Sequence, residues 1–94
     1  MVFNISEITG IGEYTEKVEK ERTLYQKADK TFLVVNKNTI EVRTDGKLAK
    51  LLQEKYESVM QSRYFGRGGI EIVLASQLTK DELEDLVRLS YNLS

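Results

Sequence analysis

The sequence predicts an α+β domain: an antiparallel sheet of about four strands with helices packed on one face. Three observations carry this. Two segments have helical spacing of apolar residues and begin with capping residues. Three runs rich in β-branched and apolar residues lie before or between them. The 94 residues contain no Pro/Gly/Ser linker, so one domain over 1–94 is expected.

The first helix is predicted from about Gly46 to Met60. Asp45 is its N-cap, because a carboxylate there accepts from first-turn amides. Leu48, Leu51, Leu52, Tyr56 and Val59 form its apolar stripe. The second helix is predicted from about Lys80 to Asn92. Thr79-Lys80-Asp81-Glu82 is a capping box, with Thr79 the cap and Glu82 reaching back to it. Acids in that first turn suit the helix dipole, which explains them without a metal. Leu83, Leu86, Val87 and then Ser90 or Tyr91 are expected to face inward.

Thr31–Val35 is apolar on both faces and reads as a central strand. Asn36-Lys37-Asn38 is a turn, and Thr39–Arg43 alternates with Ile40 and Val42 inward, which completes a hairpin. Ile70–Ala75 is a further strand, and Glu21–Lys27 an edge strand against Thr31–Val35. Residues 1–20 fit a short helix or an irregular arm, because Gly10 and Gly12 weaken a helix there.

Composition removes most catalytic chemistry. There is no Cys and no His, which excludes thiol catalysis, Cys or His metal sites and Ser-His-Asp triads. No catalytic residue, metal ligand or cofactor is expected. An enzyme would need carboxylates such as Glu41 and Glu71 to meet in a pocket. No apolar run reaches the length of a membrane span and the first residues lack a signal-peptide pattern, so a cytoplasmic location off the membrane is expected.

Charge is segregated along the chain. Fourteen Lys plus Arg face fifteen Asp plus Glu overall, yet residues 43–69 carry six bases against three acids, and residues 70–94 two against five. Any nucleic-acid site must therefore be a local patch. Gln61-Ser62-Arg63-Tyr64-Phe65-Gly66-Arg67-Gly68-Gly69 is the most unusual stretch. Arg63 and Arg67, with Arg43 behind them, suit phosphate contacts, and Tyr64 suits stacking on an unpaired base. The ordinary alternative puts Tyr64 and Phe65 in the core, with the glycines forming a bulged turn, and Arg43 in a surface salt bridge. The spacing matches neither a P-loop nor a dinucleotide fingerprint.

These residues resemble the MmcQ/YjbR-like proteins, small bacterial domains of CyaY-like or secretion-chaperone-like α+β fold, commonly labelled DNA-binding. The resemblance covers about residues 24–94. It rests on Lys30-Thr31-Phe32, Val42-Arg43-Thr44-Asp45, Leu48, Leu52 and Tyr56, Tyr64-Phe65 before the strand from Ile70, and Leu78, Glu82, Leu83 and Leu86 leading to Ser90-Tyr91. The Ser-Tyr ending is its most specific match. The family's Lys-His-Trp-like turn is replaced here by Gly66-Arg67-Gly68-Gly69, its prolines are missing and its N-terminal helix is shortened.

The resemblance implies DNA or another nucleic acid as partner. Three phosphate contacts on a duplex give a log-log salt slope of about −2.7. The other expectation is a homodimer or protein partner, because an open edge strand invites strand addition.

Overall fold

A computed structural model describes residues 3–74 and 78–94. Six strands form one antiparallel sheet: β1 (Thr15–Val18), β2 (Thr23–Lys27), β3 (Lys30–Val35), β4 (Thr39–Arg43), β5 (Val59–Ser62) and β6 (Gly66–Val73). Their order across the sheet is β1-β2-β3-β4-β6-β5. Two helices, α1 (Gly46–Lys55) and α2 (Lys80–Leu93), complete the described elements with a short 3-10 turn at Ile5–Glu7.

The α+β class is as expected, with six strands rather than about four. The two extra strands come from segments that read otherwise. Residues 15–18 pair outside β2, so β2 is an inner strand and β1 the edge. Val59 and Met60, placed at the end of the first helix by their spacing, instead begin β5 and pair with Ile72 and Glu71. α1 stops because Tyr56 turns extended, its amide still donating to Leu52 O. Leu51 is therefore not part of a buried stripe and is 59% exposed; Ala49 is the buried position of α1. The N-caps Asp45 and Thr79 form as expected, the latter as a full capping box. The predicted strand end at Ala75 lies outside the described residues.

Alternation puts Ile40 and Val42 of β4 and Ile70 and Ile72 of β6 into one core with Ala49, Leu83 and Val87 of the helices. A bulge extends this core. Tyr25 pairs with Leu33 but Gln26 pairs with Thr31, so Phe32 is an extra residue on β3. Phe32 and Leu33 both join the core, and the ring of Phe32 meets Tyr91 edge-on at 5.0 Å. The same extra residue turns Thr31 to the opposite, helix-free face, where its hydroxyl meets Tyr64.

Ser90 bridges β3 and β4 just past the pair Leu33 and Val42, where their ladder stops. Its hydroxyl accepts from the Arg43 amide at 2.7 Å and donates to Phe32 O. A helix residue thus satisfies one backbone group of β3 and one of β4.

Residues 3–14 are an arm fixed to α2. Ile5 and Ile8 enter the core. Arg88 donates to Thr9 O, and the Tyr91 hydroxyl donates to Glu13 O at 2.9 Å.

Candidate functional site on the helix-free face

Alternation that sends Ile40 and Ile72 into the core sends Glu41 and Glu71 to the other face. The two are directly opposite on β4 and β6. Like charges in that relation repel, and both residues are about 98% buried. Each is offset by donors. Glu41 accepts from Asn36 Nδ2 at 2.9 Å, Ser62 Oγ at 2.8 Å and the Tyr64 amide at 2.9 Å. Glu71 accepts from Thr39 Oγ1 at 2.8 Å and takes a bidentate pair from Arg63 at 2.9 and 2.8 Å. Burial opposes ionisation of Glu41, but the bonds from Asn36, the Tyr64 amide and Ser62, with Arg63 nearby, outweigh it and hold the carboxyl below its ordinary value.

These acids pin the connection between β5 and β6 across the sheet. Its three residues, Arg63, Tyr64 and Phe65, are drawn over the helix-free face rather than into the core. Gly69 makes room, because a Cβ there would lie 2.5 Å from Phe65 Cβ and 2.7 Å from Val42 O. Gly66 adopts a φ of +67°, a conformation that favours glycine.

Two adjoining rings are then flanked by a cation on each side along the surface. The Arg43 guanidinium lies 5.0 Å from the Phe65 ring centre, Phe65 meets Tyr64 edge-on at 5.0 Å, and the Arg22 guanidinium lies 5.4 Å over the Tyr64 ring. The Tyr64 hydroxyl bonds Thr31 Oγ1 at 3.0 Å. Arg22 is held in turn by Glu19, to which its Nε donates at 2.7 Å.

The four residues that the sequence points to are distributed as follows. Arg43, Arg63 and Tyr64 come together on this face. Arg63 is spent on Glu71, although its side chain is 75% exposed. Arg43 forms no ion pair among the described residues; it reaches Thr31 O at 3.5 Å, and its Nε is buried with no hydrogen-bond partner. Arg67 is exposed and engages no carboxylate among the described residues. Tyr64 is 41% exposed, not a core residue.

Arg22 and the donor sets of the two acids were not singled out by sequence. The matched placement of Glu41 and Glu71 in alternating strands is the one signal for the acids. Arg22 had none, because its partner Tyr64 is 42 residues away.

A groove of about 1300 Å³ opens beside the ladder, lined by the β1–β2 turn, Asn36, Lys37, Glu41 and Arg63. Lys20, Arg22, Lys37 and Arg63 face Glu19, Glu21 and Glu41 there, so its charges nearly balance. Among the described residues no group of acids is arranged to hold a metal ion, and no helix is long and apolar enough to cross a membrane.

The structure defines a class: a single antiparallel sheet, helices and apolar core on one side, a hydrogen-bonded cation–aromatic surface on the other. No family model and no curated protein matches the sequence. A crystal structure of a protein from Pseudomonas syringae, solved by the Northeast Structural Genomics Consortium, is similar in fold. The TM-score is 0.72 at 14% identity, covering 85% of this chain and 86% of that one.

Proposed function

We propose that this chain is a small non-enzymatic cytoplasmic domain of the MmcQ/YjbR-like kind that binds nucleic acid weakly through its helix-free face. The observation that carries the reading is the ladder of Arg22, Tyr64, Phe65 and Arg43, which collects guanidinium groups from separate chain segments on one face. Among the described residues Arg43, on the ladder, and Arg67, exposed just after the 63–65 connection, meet no carboxylate and supply the charge; Arg63, paired with Glu71, supplies geometry more than charge. Two such contacts on a duplex give a log-log salt slope of about −2, shallower than three contacts would give.

Fluorescence anisotropy of a labelled duplex, titrated between about 50 and 200 mM salt, tests this. Binding with that slope, lost in the Arg43→Ala, Arg67→Ala double variant, supports the reading. A flat salt response, or a double variant that binds as well, overturns it.

One observation favours a second reading, a protein or second-copy partner. The edge strand β5 carries no charged residue and exposes Met60, whereas the other edge, β1, carries Glu16 and Lys17. A dimer that Met60→Lys disperses, with no affinity for nucleic acid, would favour it.

A further inference from the structure

One face of the Tyr64 ring is already covered. Arg22 lies over it, its hydroxyl is bonded to Thr31, and its edge contact with Phe65 leaves that second ring beneath Arg43. The ladder ends in a guanidinium group on each side, Arg22 exposed and Arg43 half-buried, and the ring surface that Tyr64 leaves exposed lies between cations. A base needs a ring face to stack on; a phosphate needs the donors of a guanidinium fork.

The Arg22 end differs from the Arg43 end in one respect. Arg22 gives Nε to Glu19, which also lies 4.0 Å from Lys17 Nζ. The turn that joins β1 to β2 fixes this pair, since the Glu19 amide donates to Arg22 O at 2.8 Å. The Arg22 side chain is still 41% exposed, and its remaining donors are uncommitted among the described residues.

Resting on the nucleic-acid reading above, we infer that Arg22 is a phosphate-contacting residue of this surface, that Glu19 competes with phosphate for it, and that the ladder reads backbone phosphates rather than bases. Removing the competitor and removing the contact then act in opposite directions, although either breaks the same ion pair. Glu19→Gln tightens binding of a single strand several-fold and steepens the salt slope by about 0.7. Arg22→Gln weakens it several-fold. The double variant stays close to Arg22→Gln alone, because Glu19 is hydrogen-bonded to Arg22 at 2.7 Å while Lys17 stands off at 4.0 Å.

Charge by itself predicts something else: the double variant, with its net charge restored, would bind as the unmodified protein does. Glu54→Gln and Lys50→Gln make the same charge changes on α1, and at 0.1 M salt a Debye length of about 10 Å screens them. They are expected to leave affinity unchanged.

The experiment is anisotropy with labelled oligothymidine and with an abasic strand of equal phosphate number, on the intact chain and these variants, each checked for folding by circular dichroism. Equal affinity for the two strands, with the non-additive double variant, is the expected result. Loss of binding on the abasic strand overturns phosphate reading. A double variant restored to the original affinity, or α1 controls that shift as much as Glu19→Gln and Arg22→Gln, removes Arg22 from the site while leaving nucleic-acid binding standing. Failure of the unmodified chain to bind any strand defeats the parent reading and this one together.

Discussion

The two faces of the sheet are built from the same strands yet held by different forces. On the helix-covered face, Ile40, Val42, Ile70 and Ile72 are fully buried against Leu83 and Val87. Apolar burial of that kind is non-directional, and neighbours of similar volume substitute for one another. On the other face no helix among the described residues covers β4 and β6. Glu41 and Glu71 instead fix the 63–65 connection through bonds to particular donors. Directional bonds tolerate replacement poorly, but they set side-chain positions, which a binding surface requires. The helix face therefore holds most of the stability and the free face most of the positioning.

The sharpest way to break this contrast is to damage each face in turn. Phe32→Ala removes a ring with no exposed surface, packed edge-on against Tyr14 and Tyr91. Urea unfolding is expected to show a loss of about 3–5 kcal/mol, a large part of the 5–15 kcal/mol typical of domains. A loss under about 1 kcal/mol would mean that the bulged strand collapses to fill the space and that the helix face tolerates repacking.

Ser90→Ala gives a smaller effect of a different kind. It deletes one hydroxyl and leaves the Arg43 amide and Phe32 carbonyl without their partner. The expected loss is about 1–3 kcal/mol, the cost of leaving buried groups unsatisfied. Hydrogen exchange at the Arg43 amide should quicken beyond what global destabilisation explains. Unchanged exchange would show that the two strands close the ladder by themselves.

Ser90 also marks where legibility stopped. Helical spacing offers Ser90 or Tyr91 as the inward position. That Ser90 bridges β3 and β4 does not follow, because their pairing stops at Leu33 and Val42, beside the residue that bulges against β2, and no local pattern encodes either. Both helix starts were legible, since capping is a matter of three or four adjacent residues. The end of α1 was not. Val59 continues the helical stripe in sequence, and only its pairing with Ile72 draws it into a strand.

The candidate surface was legible in the same uneven way. Arg63 and Tyr64 stood out within one short stretch, and they do share a face with Arg43. The Glu71 that neutralises Arg63 is eight residues on, in the neighbouring strand, and the Arg22 that covers Tyr64 belongs to a hairpin formed far earlier in the chain. Composition records such partners as charge totals and gives no information on who meets whom.

The smallest expected effect sharpens the contrast by pH. Burial pushes the Glu41 carboxyl up, but Asn36, the Tyr64 amide, Ser62 and Arg63 together hold it below its ordinary value. On acidification the unfolded chain protonates this group first, near pH 4.3. The stabilisation from Glu41 is thus complete above about pH 4.3 and is lost as pH falls through the lower folded value. Glu82, lowered by its bonds to Thr79, adds a loss of the same sign, so a variant must separate the two. In Glu41→Gln the carboxylate term is gone while the capping box remains. The gap in Tm between the unmodified protein and Glu41→Gln should be widest near neutral pH and narrow progressively below about pH 4.3. A gap that stays constant down to the acid limit would mean that Glu41 holds the 63–65 connection by shape rather than by charge, and the two faces would then differ less in the force that holds them.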